Sequence, residues 1–190
     1  GSSRDFAITR EWAWKYPKEM DGLLGSLIES TISFLSLQAS NGADALMLFD
    51  SWASAVPAAQ RDWLVTRPAR LIIEELRKNG HKQPVIGFPK GIGEGLITYV
   101  DQSGVDAVGL DHGVDPVWVD RNLPQNFPVQ GNLDPLSLLQ AGPEMFRDID
   151  HILDAFANRP HIFNLGHGIT PPTPTENVQL MLDHVRRHRG

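Results

Sequence analysis

Ala43-Asp44-Ala45-Leu46-Met47-Leu48-Phe49-Asp50 is the stretch on which the fold turns. It is a short apolar run, entered from Asn41-Gly42 and left through Asp50-Ser51, and that length and those flanks describe a buried strand. Upstream, residues 5–40 read as helix split at Pro17. Leu24, Leu27, Ile28, Thr31, Leu35 and Ala39 recur there at steps of three and four, as one buried stripe. Asn41-Gly42 supplies the stop. Downstream, a helical stretch from about 58 to 78 is interrupted by Pro68 and closed by Asn79-Gly80, and a second strand, Pro84 to Phe88, ends at Pro89. The alternation then repeats: helix near 94–102, strand 107–111, helix near 116–121, strand 128–131, helices at 135–139 and 143–157, strand 161–165. The last helix opens on Thr173 as N-cap, Pro174 and Glu176, a capping box, with Val178, Met181, Leu182 and Val185 as its apolar stripe.

Five short strands, each followed by helix, describe an α/β chain with parallel strands. No linker, low-complexity run or repeat divides it, so residues 1–190 read as a single domain. A doubly wound sheet would carry a glycine-rich phosphate loop after its first strand. Gly91-Ile92-Gly93-Glu94-Gly95 has the wrong spacing for that and reads as a loop passing close to other backbone. A (β/α)8 barrel takes eight βα units in about 250 residues. Five units here describe part of such a TIM barrel, lacking its N-terminal units.

Composition removes whole classes of function. Of the 190 residues, 41% are hydrophobic and 21% charged, ordinary for a globular chain. No apolar run approaches the roughly 18–20 residues that span a bilayer, and the first residues carry no apolar signal core. There is no cysteine, hence no disulfide, thiolate metal site or cysteine nucleophile. The net charge of −6 argues against a nucleic-acid partner. The one basic cluster, Arg186, Arg187, His188 and Arg189, closes a helix, where cations complement the dipole.

In parallel α/β proteins functional groups sit at the C-terminal ends of strands. That rule nominates Asp50 and Ser51, either a ligand contact or a local turn, with Trp52 as a packing residue. It nominates Lys90 after the second strand, where a surface lysine is the simpler reading. It nominates Asp111 and His112 after the third, a weak acid–base or metal pair. Asn132 and Asp134 after the fourth are good turn and cap formers. After the fifth, Gly166-His167-Gly168 is unusual: the glycines allow a sharp turn and leave the imidazole uncrowded. The remaining histidines, His81, His151, His161, His184 and His188, read mostly as surface residues. No Ser-His-Asp triad or paired carboxylates can be defended.

Phe49-Asp50-Ser51-Trp52-Ala53 after Ala43-Asp44-Ala45, then Gln130-Gly131-Asn132-Leu133-Asp134-Pro135, then Asn164-Leu165-Gly166-His167-Gly168-Ile169 resemble, in order and spacing, successive signature segments of the uroporphyrinogen decarboxylase family. Gly1 to Phe6 resembles the family segment that begins the helix before the fifth barrel strand. The similarity covers essentially the whole chain.

The resemblance implies a carboxy-lyase of haem biosynthesis. It removes four acetate carboxyls from uroporphyrinogen III to give coproporphyrinogen III, with no metal and no organic cofactor. It implies that Ser51 and His167 line the substrate cleft and hydrogen-bond substrate carboxylates. Proton transfer by His167 ranks second, and no catalytic residue is assigned within this chain. The family's arginine-rich segment, the aspartate facing the pyrrole N–H groups and a cleft tyrosine have no match here. The chain is therefore expected to be a fragment, a truncated form or half of a nicked enzyme, inactive alone. Exposed strand edges would be covered by the missing N-terminal segment or by another copy, and the family implies a cytoplasmic homodimer. Two rivals stand beside this. Corrinoid methyltransferases share the barrel but bind zinc through cysteine, which this chain lacks. A non-catalytic folded scaffold would bind no porphyrinogen.

Overall fold

The computed structural model describes residues 3–188. They form two compact units, one ending at Asp106 and one beginning at Ala107, with no linker between them.

The first unit opens with a 3-10 turn (Arg4–Phe6), α1 (Ala7–Lys15) and α2 (Pro17–Ser40). The break falls at Pro17 as expected, because proline suits a helix start and not an interior. β1 (Leu46–Asp50) follows, then two 3-10 turns, a π turn (Asp62–Thr66), α3 (Arg67–Lys78), β2 (Val85–Pro89) and α4 (Gly95–Gln102). β1 and β2 pair in parallel, from Leu46 opposite Val85 to Asp50 opposite Pro89. α3 buries Ala69, Ile72, Ile73 and Leu76, a stripe at helical spacing.

Three expectations change. The first strand starts at Leu46, not at Ala43. The π turn before Pro68 was not foreseen; proline cannot donate to the carbonyl four residues back, and the wider turn accommodates that gap. On α2 the expected stripe is only partly buried: Leu35 and Ala39 are in the core, but Leu27 is 55% exposed. The helix carries two apolar rows, and this residue belongs to the second.

The second unit runs β3 (Ala107–Gly109), α5 (Pro116–Asn122), β4 (Val129–Gln130), α6 (Pro135–Gln140), α7 (Pro143–Ala155), β5 (His161–Ile162) and α8 (Thr175–His188). β4 pairs in parallel with both β3 and β5. Asp115 and Asp134 cap α5 and α6 by accepting backbone N–H groups, so Asp134 is the cap former its sequence suggested. α8 buries Met181 and half-buries Val178, Leu182 and Val185, as its stripe required. Its start differs: the Thr173 hydroxyl bonds that of Thr170, the helix begins at Thr175, and Asn177 donates to Leu138 and Leu139 at the end of α6. At its end, Arg187 donates to the carbonyl of Asp183, as a cation closing a helix should; Arg189 lies outside the described residues.

Each unit has an arginine clamp beside the N-terminal ends of its strands. Arg77 donates to the carbonyls of His81 and Gln83 and to Asp106, whose carboxylate also receives the Val85 N–H that opens β2. Arg159 is fully buried; its Nε meets Asp120 at 2.9 Å, and Nη2 donates to the carbonyls of Asp120 and Leu123. Removing such a partner strands a carboxylate and two carbonyls at a buried corner. Arg159→Met is expected to lower unfolding stability by roughly 3 kcal/mol, read from urea unfolding; a loss within error would show the clamp to be ornamental.

Candidate functional site

The candidate residues lie at the C-terminal ends of strands, and each unit contributes its own group. In the first, β1 ends at Asp50 and β2 ends one residue before Lys90. The two ends are laced together: the Lys90 N–H donates to the Asp50 carbonyl, and the Ser54 N–H donates to the Lys90 carbonyl, both at 3.0 Å. Gly91 follows in the left-handed region, and a Cβ there would stand 2.8 Å from Ser54 Cβ. Ser51 therefore sits on a short bridge held at both ends. It is half-buried, and its hydroxyl bonds no described residue. The Lys90 ammonium makes no ion pair among the described residues. Trp52, expected to pack, is 65% exposed and meets Phe6 edge-on at 5.1 Å.

Asp50 is the residue whose surroundings sequence reasoning missed. Its side chain lines a cavity of about 240 Å3 whose walls are mostly leucine, isoleucine, valine and alanine, with Tyr99 as a polar neighbour. Burial pushes its carboxyl above the usual range, against the opposing pull of the Trp52 and Ala53 N–H groups. Burial also raises Tyr99, and the Asp50 charge adds to that. The aspartate is thus a turn former held at the edge of an apolar chamber. Nothing in the local sequence announced this, because Tyr99 comes from α4.

In the second unit three strand ends are knit by backbone. Leu133 donates to the Asn164 carbonyl and Gly166 donates back to the Leu133 carbonyl at 2.8 Å. Asn132 is buried; its amide donates to the carbonyls of Asp111 and Val114 at 2.9 and 2.8 Å, the structural role expected of it. The Gly131–Asn132 peptide is cis. Gly166 presses so closely on the Asp111–His112 backbone that no Cβ fits. His167 is the next residue. Its ring is exposed, bonds no described side chain, and projects from a turn with no freedom on its N-terminal side.

Asp111 spends a carboxylate oxygen on the Gly113 N–H, 2.8 Å away. His112 is exposed on a shallow cavity of about 200 Å3 that it shares with Asn132, Asp134, Asp148 and His151. Asp134 and Asp148 already bind Leu136 N–H and the Ser137 hydroxyl. Among the described residues no group of three histidines or carboxylates is arranged to hold a metal ion.

Three histidines depart from the surface reading. His161 opens β5, donates Nε2–H to the Gly131 carbonyl at 2.7 Å and packs on Phe156. His184 meets Asp150 at 2.7 Å and stacks on Phe146, while His188 lies between Asp150 and Asp154. These tie α7 to α8 and leave His167 as the exposed histidine on a built strand end.

The family model for uroporphyrinogen decarboxylase matches residues 1–188. The chain belongs to the uroporphyrinogen decarboxylase family. A uroporphyrinogen decarboxylase of Novosphingobium aromaticivorans is 49% identical over 185 residues, which are 97% of this chain and 54% of that protein. One from Maricaulis maris is 44% identical over 98% of this chain and 54% of its own length. The chain thus spans about half the length of the curated relatives it matches, and it is their C-terminal part. A methyltransferase from Methanosarcina mazei superimposes with a TM-score of 0.80 at 16% identity, over 95% of this chain and 53% of that one. That likeness is one of fold alone. The fold class is α/β, part of a (β/α)8 barrel, as the strand-and-helix count implied.

Two outcomes are expected here. Asp50 has a folded pKa above its unfolded one, so the native state holds the proton longer and wild-type stability falls as pH rises through the carboxylate range. Asp50→Asn, compared by urea unfolding from about pH 4 to pH 7, is expected to gain on wild type as pH rises. If wild type gained instead, the Trp52 and Ala53 hydrogen bonds would outweigh burial. Gly166→Ala is expected to cost roughly 2 kcal/mol or more in thermal unfolding, by forcing the His112 backbone aside; a neutral result would refute the contact.

Proposed function

We propose that the full-length protein of this family match is a carboxy-lyase that removes the four acetate carboxyls of uroporphyrinogen III to give coproporphyrinogen III. Membership of the family over residues 1–188 carries this reading. Protonating a pyrrole carbon makes a cationic ring that accepts the electrons left behind by departing carbon dioxide. The protein's task is then to hold a polycarboxylate, orient each acetate and stabilise the developing cation. No metal or organic cofactor enters that scheme.

Ser51 and His167 are the proposed carboxylate contacts. Both offer hydrogen-bond donors that no described residue occupies, and both stand on strand ends pinned by backbone hydrogen bonds. Lys90 adds a cation beside Ser51 on the same laced segment. With a net charge of −6, the chain needs further cations for a polyanionic substrate, and the rest of the protein would have to supply them. The chain alone is inactive in this reading. The full protein acts as a cytoplasmic homodimer, and the five βα units form one domain with the barrel's remaining units.

The test is turnover of uroporphyrinogen by the full-length protein under anaerobic conditions, with coproporphyrinogen as the product measured. His167→Asn is expected to lower kcat/KM by about 10- to 100-fold, the loss of a charge-assisted hydrogen bond, with an unchanged melting temperature. Ser51→Ala and Lys90→Ala are expected to act mainly on KM. Loss of fold without a separate effect on turnover would refute the assignment of His167. A wild-type protein that binds no porphyrinogen would favour a non-catalytic scaffold.

A further inference from the structure

α2 has a face that the first unit does not use. Leu23, Leu27, Phe34 and Leu37 are 47%, 55%, 60% and 62% exposed, and with Ser30 they follow one another at steps of four, three, four and three. That is the seam spacing of a helix packed against another helix. The same segment carries no charge from Ser30 to Ala43, whereas a solvated helix face is normally laced with charged pairs. Its hydroxyls do not face water as a substitute: Ser26, Ser30, Thr31 and Ser33 each donate to a carbonyl one turn back.

The direction of this face is informative. α3 takes one flank of α2, where Gly25, Ile28, Glu29, Ile32 and Ser33 share a groove with α3 side chains and Asp21 meets Trp63 and Arg67. With about 3.6 residues per turn, the exposed row lies roughly half a turn round from that flank. In a (β/α)8 barrel the helices form an outer ring, so each has a neighbour on either side. A solvent-facing helix in that ring would show water its polar face. This one shows a leucine and phenylalanine row on the side away from α3. The relatives matched are nearly twice the length of this chain, which supplies the absent neighbour.

We propose that the Leu23, Leu27, Phe34 and Leu37 row of α2 is the seat of an amphipathic helix from the family's N-terminal part, the preceding member of the helix ring. The proposal rests on the chain being the C-terminal part of its family, not on the decarboxylase chemistry. It gives the assembly an internal seam where a second copy of the chain is not needed.

The experiment uses the full-length protein with a benzophenone side chain in place of Phe34, and again in place of Leu37 in case the first position does not tolerate it. After irradiation, crosslinked peptides are mapped by mass. The expected product keeps the mass of one chain and joins α2 to a peptide upstream of this sequence. Adducts joining two copies would make the row a dimer surface and overturn the proposal. A label that captures nothing, or only residues of this chain, would also overturn it. The readout is a mass and not a rate, so an upstream adduct in an enzyme that fails to decarboxylate would sink the functional reading alone.

Discussion

Parallel strand pairing is the constraint from which the rest follows. Two parallel neighbours need a crossover between them, so every strand in a unit runs the same way and every strand end of one kind falls on the same side. In the first unit this brings Asp50 and Pro89 level, and Lys90 can then lace the two ends through Asp50 and Ser54. In the second it brings together the ends of β3, β4 and β5, where Asn132 and Gly166 lock the Asp111–His112 turn. The opposite ends are closed by Arg77 and Arg159. Within each unit, stability and chemistry are kept at opposite ends of the same strands.

The strand ends trade local stability for access. Gly166 removes a side chain so that two backbones can touch, and the reward is an imidazole at His167 fixed by its base and open at its tip. Asp50 is kept although its carboxyl is pushed up by an apolar cavity. A carboxylate retained against its desolvation cost marks a place where the turn geometry around Ser51 matters more than burial. α2 shows a related compromise: its uncharged row is unfavourable in water and makes physical sense only when covered.

Much of this was legible in the sequence. Strands were readable because apolar runs of the right length were bracketed by turn residues, and helix ends because Pro17, Asp115 and Asp134 stand where starts need them. Ser51 and His167 were legible as candidates because strand ends carry function and because glycines flank the histidine. What failed to show were roles that depend on a residue distant in sequence. Tyr99 beside Asp50, Phe156 under His161, Asp150 between His184 and His188, and Asp120 held by Arg159 each require the fold to bring partners together.

The sequence by itself determined the alternation of strand and helix, the membership of a family through its spaced segments, and the absence of cysteine chemistry. These depend on local pattern and residue type, which the chain carries without folding. Only the tertiary structure decided which polar groups are spoken for. His161, Asn132 and Asp134 are committed to backbone, whereas Ser51, Lys90 and His167 keep their donors unused among the described residues. It also decided which apolar row of α2 is buried. A periodic pattern marks faces on a helix, but burial is settled by which neighbour arrives, and that is a matter of packing across the chain.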